Sequence, residues 1–215
     1  MQSGPLIDTD LPVGVLLAAG FGRRFDAQGK RNKLLEPLED GRSVAWHSGR
    51  TLATALPGAV AVVRPDQEEL ARQLRDAGCR IIATARAEAG MGAALAAAVE
   101  QTAGARGWVV ALADMPWVPL DLIRAVALSI VTPQAIAAPW RDGRRGHPVG
   151  FGAEWRDELQ RLEGDQGARA LLETRTVTRI LTADDGAFRD IDTPSDLPGE
   201  QSGKQSGKLP GKLAG

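Results

Sequence analysis

Short apolar runs alternate with helix-length segments over the first two-thirds of the chain, and this alternation restricts the fold more than any other feature. The predicted strands span residues 13–17, 59–63, 80–84, 108–112 and 134–138. The segments between them are long enough for helices, at 43–55, 66–77, 91–103 and 119–130. This pattern is typical of βαβ units, in which helices cover both faces of a mostly parallel sheet. It therefore predicts an α/β fold with ligands at the carboxyl ends of the strands.

Segment 66–77 has the clearest helix signals. Asp66 is expected to cap its start, with Glu69 three residues later, and Gly78 is expected to end it. After residue 139 the pattern changes to turns and shorter elements.

Length and composition indicate one folded domain. The chain has 215 residues, which is enough for one substantial α/β core. We expect an N-terminal extension at 1–12, the domain at 13–198, and a flexible low-complexity tail at 199–215 that repeats Ser-Gly-Lys. The net charge of −1 argues against nucleic-acid or membrane binding, because such proteins normally have a basic excess.

The single cysteine and the absence of a long apolar run suggest a cytoplasmic protein. Cys79 cannot form an internal disulfide, and its apolar neighbours predict a buried, unreactive thiol. Apolar runs remain shorter than the roughly 18 residues that span a membrane, and the N-terminus lacks a signal-peptide pattern.

The stretch VGVLLAAGFGRRF predicts an anion site. A strand runs into a turn of small residues, whose backbone a ligand can approach closely: Ala18, Ala19, Gly20 and Gly22. It fits neither the P-loop nor the dinucleotide-binding pattern. Backbone N–H groups of the turn can bind phosphate, Arg23 and Arg24 can clamp it, and Lys33 can add a point charge. The alternative is a solvated basic loop.

Two acidic segments predict a metal site. Asp114 follows the apolar run of VVALAD, so it should emerge at the carboxyl end of a buried strand. Asp190 and Asp192 flank Ile191 and would share one side of a strand, whereas Asp196 is explained as a helix cap. Together Asp114 and Asp192 are expected to bind Mg²⁺, although a strand-end or capping role is the alternative for Asp114.

Two further loops are candidate ligand contacts. Gly90 and Met91 open an Ala-rich helix whose free N–H groups could hold a base, ribose or phosphate; a plain helix start is equally consistent. The second loop contains Gly146, His147 and Pro148, where His147 is either a substrate contact or a structural imidazole. His47, within a predicted helix, is expected to be structural.

Taken together, these segments resemble a known family. LLAAGFGRRF, NKLL, LADMP, RGHPVGF, GDQGAR and DIDTPSDL occur in the order seen in nucleotidyltransferases of the molybdenum cofactor type, across residues 13–197. The resemblance implies a single Rossmann-like three-layer α/β/α nucleotidyltransferase domain. It also implies Mg²⁺-dependent transfer of CMP from CTP to the terminal phosphate of molybdopterin, with a molybdoenzyme or its maturation chaperone as partner.

The resemblance also implies roles for individual residues. Arg24 would bind the triphosphate, Lys33 would lie near the α-phosphate, and Asp114 and Asp192 would bind the metal. The nucleotide would contact Leu17, Ala18, Ala19, Gly20, Gly22, Arg23, Gly90 and Met91. The acceptor would contact Gly146, His147 and Pro148. Ala19 favours CTP over GTP.

Two departures from the family pattern leave questions open. Ala94 replaces a serine near the base, which removes a hydroxyl that could contact the base. The segment between Arg24 and Lys33 is lengthened to RFDAQGKRNK, so Lys30 competes with Lys33 for the signature lysine, and the following Leu34-Leu35 favours Lys33.

The implied chemistry needs no general base, because a phosphate monoester is largely dianionic at neutral pH. Charge neutralisation by Mg²⁺, Arg and Lys would then dominate catalysis. The rival enzymatic hypothesis is a sugar-phosphate or polyol-phosphate nucleotidyltransferase that uses GTP or UTP. The rival outside enzymes is a non-catalytic chaperone that delivers finished cofactor, although the two aspartates argue against it.

Overall fold

The computed structural model describes residues 11–28, 30–165 and 167–198. Within them, eight strands form one sheet: β1 (Val13–Leu17), β2 (Val60–Val63), β3 (Arg80–Ala83), β4 (Gly107–Leu112), β5 (Ile136–Arg141), β6 (Arg144–Arg145), β7 (Val149–Gly152) and β8 (Thr178–Leu181). The helices are α1 (Val44–Ala55), α2 (Glu68–Asp76), α3 (Met91–Gln101), α4 (Leu120–Leu128), α5 (Arg156–Gln160) and α6 (Arg169–Thr174). Every strand and helix predicted up to residue 138 is present, with ends shifted by at most three residues.

The sheet is mostly parallel, as predicted. Its order is β3-β2-β1-β4-β7-β5-β6, and β8 pairs with β5 in parallel. Strand β7 is antiparallel to both β4 and β5. Because β7 runs in the reverse direction, it begins beside the end of β4, where Val149 pairs with Val110. The turn before β7 is therefore brought to the same edge of the sheet as the carboxyl ends of β1 and β4.

Helices cover both faces of this sheet, which confirms the three-layer α/β/α architecture. Successive strand residues point to opposite faces. On one face Leu16 joins a core with Leu52 of α1 and Ile123 of α4. On the other face Val15 joins a core with Leu95 of α3 and Leu159 of α5. The central strand β1 is consequently enclosed on both sides, which explains its continuous apolar sequence.

The predicted cap of α2 is wrong. The helix begins at Glu68 with Gln67 as its N-cap residue, and no side chain caps it. Asp66 is paired instead with Arg64, whose Nε lies 3.2 Å from the Asp66 Oδ1 atom. Gly78 has a φ of +102°, so the predicted glycine stop is confirmed.

The Asp190–Asp192 segment lies outside any strand, contrary to prediction. It is held by the N–H of Ile191, which donates to the carbonyl of Asp114 at 2.9 Å. Ile191 is fully buried among Phe25, Val44 and Leu197, so its two neighbours are directed away from that cluster. The capping box formed by Thr193 and Asp196 is confirmed.

Cys79 is buried, and burial raises the pKa of its thiol to about 12, as expected for an unreactive cysteine. Residues 1–10 of the expected extension and the tail at 199–215 lie outside the described residues. In the part of the chain that the structure describes, the helices are too short or too polar to cross a bilayer.

Replacing Ile191 with alanine should lower the free energy of unfolding by about 2–4 kcal/mol, because a fully buried side chain is truncated and leaves a cavity. Urea denaturation measures this loss. The control Leu128→Ala removes a side chain of a residue that is 67% exposed and should change stability by less than about 0.5 kcal/mol. Equal losses in both variants would contradict the packing of Ile191.

Candidate active site

A cavity of about 570 Å³ opens at the carboxyl ends of β1 and β4. Its size is within the range of small-molecule sites. Four groups of residues line it: the glycine loop after β1 (residues 19–24), Lys33 with Leu34, the start of α3 with the turn before it, and the aspartates at positions 114, 165, 190 and 192. The predicted site residues among them are Leu17, Ala19, Gly20, Gly22, Arg23, Arg24, Lys33, Gly90, Met91, Asp114 and Asp192.

The glycine loop has an open backbone on its cavity side. Gly22 has a φ of +61°, and its carbonyl accepts from the N–H groups of Phe25 and Asp26. A Cβ atom added to Gly20 would meet no other atom within 4 Å. The guanidinium of Arg23 lies 5.2 Å from the centre of the Phe21 ring. Ala18 is buried in the core beneath the loop, away from the lining.

The extra residues after Arg24 form a small folded loop around Asp26. Its carboxylate accepts from the backbone N–H groups of Gln28, Lys30 and Arg31 at 2.8–2.9 Å. These hydrogen bonds, chiefly that from Arg31, lower the pKa of Asp26.

Lys33, rather than Lys30, reaches the cavity. Asn32 caps a one-turn 3₁₀ helix, Lys33–Leu35, and the Lys33 side chain is only 11% exposed. The geometry therefore favours Lys33 in the choice that the sequence left open.

Lys33 bridges the two predicted metal ligands. Its Nζ atom lies 2.6 Å from Asp114 Oδ2 and 3.0 Å from Asp192 Oδ1. Burial alone would lower the pKa of Lys33, but the charge of Asp114 and the hydrogen bonds to both carboxylates raise it overall. Arg24 Nη1 pairs with the other oxygen of Asp192. Lys33 and Arg24 thus contact the predicted metal ligands directly.

Asp190 completes a cluster of three carboxylates. Oxygen atoms of Asp114, Asp190 and Asp192 all lie within 4.8 Å of one another. Burial, followed by the charges of Asp192 and Asp114, raises the pKa of Asp190. Three carboxylates against two cations, Lys33 and Arg24, leave a net charge of −1 when all are ionised. An all-oxygen donor set with surplus negative charge fits a divalent cation such as Mg²⁺.

The start of α3 is closed on one side by a neighbouring loop. Gly92 donates its N–H to the carbonyl of Gly164 at 2.7 Å, so one of the expected free donors is already used. Gly90 has a φ of +124°, and a Cβ there would lie 2.5 Å from Asp165 Oδ1. Ala94 is buried and lines the cavity, so the position of the missing serine hydroxyl is an apolar wall.

The Gly146-His147-Pro148 turn lies beside the cavity and not in its lining. It immediately precedes β7, and the His147 N–H donates to the Ala187 carbonyl at 2.9 Å. The His147 ring donates to the Val110 carbonyl, while its buried Nδ1 has no partner among the described residues. Burial lowers the pKa of His147 to about 4, although the charge of Asp114 opposes this shift. The ring is therefore neutral at pH 7.

Other residues at this edge were missed by the sequence reasoning. Phe21 and Asp165 line the cavity, and Arg64 contacts the glycine loop from outside it. Arg64 directly follows β2, at the same sheet edge as the loop, and that position was the available signal. His47 pairs with Asp40 at 3.0 Å and lies outside the cavity.

Residues 14–180 match the model of the MobA-like NTP transferase domain family. The chain belongs to this nucleotidyltransferase family. The purine catabolism protein PucB of Bacillus subtilis is 30% identical to this member over 198 residues, which cover 86% of the chain and 93% of PucB.

Solved structures share the fold. A nucleotidyl transferase from Methanothermobacter superposes with a TM-score of 0.74 at 20% identity, and Rv0371c of Mycobacterium tuberculosis in complex with manganese does so with 0.68 at 22%. Molybdopterin-guanine dinucleotide biosynthesis protein A of Archaeoglobus fulgidus gives 0.59 at 21%. Each match covers 86% of this chain and 94% of the other.

The substitution His147→Asn should weaken the pH dependence of stability between about pH 6.5 and 4. Histidine titrates near pH 6.5 when unfolded, whereas the pKa of folded His147 is about 4. The unfolded chain therefore binds a proton that the folded chain does not, so stability falls as the pH drops through this window, by up to about 3 kcal/mol.

Urea denaturation at pH 7 and pH 4.5 measures this effect. The control His47→Asn removes the other histidine, which pairs with Asp40 outside the cavity, and should retain most of the decrease. A decrease of full size in His147→Asn would contradict the buried neutral ring.

Proposed function

We propose that the protein is a Mg²⁺-dependent cytidylyltransferase. It transfers CMP from CTP to the terminal phosphate of a molybdopterin-type acceptor and releases pyrophosphate. The observation that carries this proposal is the meeting of Lys33 and Arg24 with Asp114 and Asp192 at one cavity. Phosphoryl-group transfer depends on such opposed charges, because charge spreads over phosphate oxygens in the transition state.

The glycine loop and its cations form the donor side. Backbone N–H groups of the turn that contains Gly20 and Gly22 would bind phosphate oxygens of CTP. Arg24, whose side chain is 81% exposed, can move to the triphosphate, and Lys33 can neutralise charge near the α-phosphate. Ala19 is the residue that favours CTP in the family pattern, and Gly90 and Met91 form the opposite wall near the base.

The carboxylates form the metal side. Asp114 and Asp192, with Asp190 beside them, would hold Mg²⁺. A bound Mg²⁺ ion would neutralise phosphate charge during the transfer. The protein fixes the positions of these carboxylates through its backbone. The hydrogen bond from the Ile191 N–H to the Asp114 carbonyl joins the two acidic segments.

The acceptor side needs no general base. A phosphate monoester is already largely dianionic at neutral pH, so its oxygen can attack the α-phosphorus without losing a proton. His147 agrees with this chemistry, because burial lowers the pKa of its ring to about 4 and makes it a weak base. We assign Gly146, His147 and Pro148 to the wall of the acceptor site, adjoining Asp114.

Ligand binding would exchange the partners of the charged groups. Without ligands, Lys33 and Arg24 neutralise the same carboxylates that the metal needs. When ligands bind, Asp114 and Asp192 would hold a bound metal, while Lys33 and Arg24 would be released to neutralise phosphate oxygens of the nucleotide.

The proposed setting follows the family resemblance. Residues 13–198 would form the catalytic domain, between the extension at 1–12 and the tail at 199–215. The reaction would take place in the cytoplasm, and a molybdoenzyme or its maturation chaperone would receive the product.

Pyrophosphate release tests the proposal. With Mg²⁺ and molybdopterin, the protein should release pyrophosphate from CTP faster than from GTP, UTP or ATP. Asp114→Ala should reduce the rate by at least about 100-fold. The substitution removes a ligand of the proposed Mg²⁺ ion, which would neutralise charge on the phosphates in the transition state. The control Asp121→Ala changes a side chain on α4 that is 94% exposed and should leave the rate unchanged.

The same assay separates the rival functions. A preference for GTP or UTP would overturn the cytidylyl assignment and favour another small-molecule nucleotidyltransferase. Binding of finished cofactor without metal-dependent pyrophosphate release would favour the delivery chaperone. Near-normal turnover by Asp114→Ala would contradict the proposal that Asp114 is a metal ligand.

Lys33→Met should tighten the binding of Mn²⁺ alone by at least about fivefold, because Lys33 competes with a metal for Asp114 and Asp192. Electron paramagnetic resonance of free Mn²⁺ measures the affinity without any turnover. Lys30→Met is the matched control, since it removes the same charge from a residue outside the cavity lining. Weaker Mn²⁺ binding by Lys33→Met would contradict the exchange of partners.

A further inference from the structure

We infer that Arg64 is a positioning residue for the glycine loop: by holding two carbonyl groups on one side of the loop, it turns the N–H groups of Gly20 and Phe21 toward the cavity. The inference rests on the proposed use of this loop as the phosphate-binding part of the donor site. Arg64 itself does not line the cavity, so its effect on a ligand passes through the loop.

The contacts of Arg64 are specific and shielded from water. Its Nη1 atom donates to the carbonyl of Ala19 at 2.6 Å and to that of Gly20 at 3.3 Å. The side chain is only 11% exposed. A charged donor in a partly buried place makes stronger hydrogen bonds than a neutral one, so these two carbonyls are firmly oriented.

Peptide geometry converts this orientation into a direction for the N–H groups. A trans peptide is planar, and its C=O and N–H bonds point in opposite directions. The Ala19 carbonyl shares a peptide with the Gly20 N–H, and the Gly20 carbonyl shares one with the Phe21 N–H. With both carbonyls turned toward Arg64, both N–H groups are turned away from it.

Gly20 and Phe21 line the cavity whereas Arg64 does not, and a Cβ atom on Gly20 would meet no other atom within 4 Å. N–H groups turned away from Arg64 are therefore turned toward the cavity side of the loop. Across the described residues, the N–H groups of Gly20 and Phe21 have no hydrogen-bond partner within the chain. Two adjacent donors with a shared direction can bind oxygen atoms of one polyphosphate chain.

Arg64 is itself held by several groups. Its backbone N–H donates to the side-chain oxygen of Gln67 at 2.9 Å, and its Nε atom contacts Asp66. Its guanidinium carbon lies 4.4 Å from the centre of the Phe21 ring. The planar guanidinium makes all of these side-chain contacts at once, which the ammonium of a lysine cannot do.

Binding of inorganic tripolyphosphate tests the inference without turnover or a nucleobase. We expect Arg64→Met to weaken tripolyphosphate binding by about tenfold, the loss of roughly one well-oriented hydrogen bond. Arg64→Lys should recover only part of the affinity. In the turnover assay, the KM for CTP should rise by a similar factor while kcat changes by less than about threefold, because the loop binds substrate and transition state alike.

The matched control is Arg124→Met, which removes the same charge from a half-exposed side chain on α4. It should bind tripolyphosphate as the unaltered protein does. A melting temperature of Arg64→Met close to that of the control shows that any loss of binding is local. If Arg64→Met unfolds, Arg64→Lys alone decides, since full retention of affinity there contradicts the need for the guanidinium.

The outcomes separate this inference from the proposed function. Unchanged tripolyphosphate affinity in Arg64→Met, or no binding by the unaltered protein, overturns the role of Arg64 whatever the turnover assay gives. If Arg64→Met alone loses tripolyphosphate affinity and the unaltered protein releases no pyrophosphate, the role of Arg64 in the loop is supported. The proposed cytidylyltransferase activity is then overturned.

Discussion

The contact of Lys33 with Asp114 and Asp192 is the interaction on which the candidate site depends. It joins three segments that are far apart in the chain, because Lys33 precedes α1, Asp114 follows β4 and Asp192 lies near the end of the described domain. Without Lys33, the two carboxylates would repel each other. The ammonium group between them makes their approach favourable and keeps the cavity assembled before any ligand arrives.

Much of the fold was predicted from the alternation of short apolar runs with helix-length segments, because the central strands β1, β2 and β4 are buried almost throughout and are therefore continuously apolar. The predicted cap at Asp66 was wrong: its carboxylate pairs with Arg64, and the helix begins at Glu68 without a side-chain cap. The Asp190–Asp192 segment was correctly expected to present both acids on one side. Burial of Ile191, and not strand pairing, produces that arrangement.

The candidate site was less accessible from sequence because it depends on contacts between distant elements. Asp114 and Lys33 were recognisable from a strand end and a family motif, but their ion pair was not. The position of His147 beside Asp114 depends on the reversed direction of β7, which the sequence pattern did not reveal. Arg64 was missed because its position directly after β2 was its one signal, and no motif or periodic pattern surrounds it.

The folded loop around Asp26 has a consequence for how the chain can vary. The N–H groups of Gln28, Lys30 and Arg31 are satisfied by the carboxylate of Asp26, and the next residues start a separately capped turn that orients Lys33. The length of the loop is therefore largely independent of the placement of the lysine. Because closing a longer loop costs little additional entropy, insertions and deletions between Arg24 and Lys33 can accumulate while the charged centre keeps its geometry.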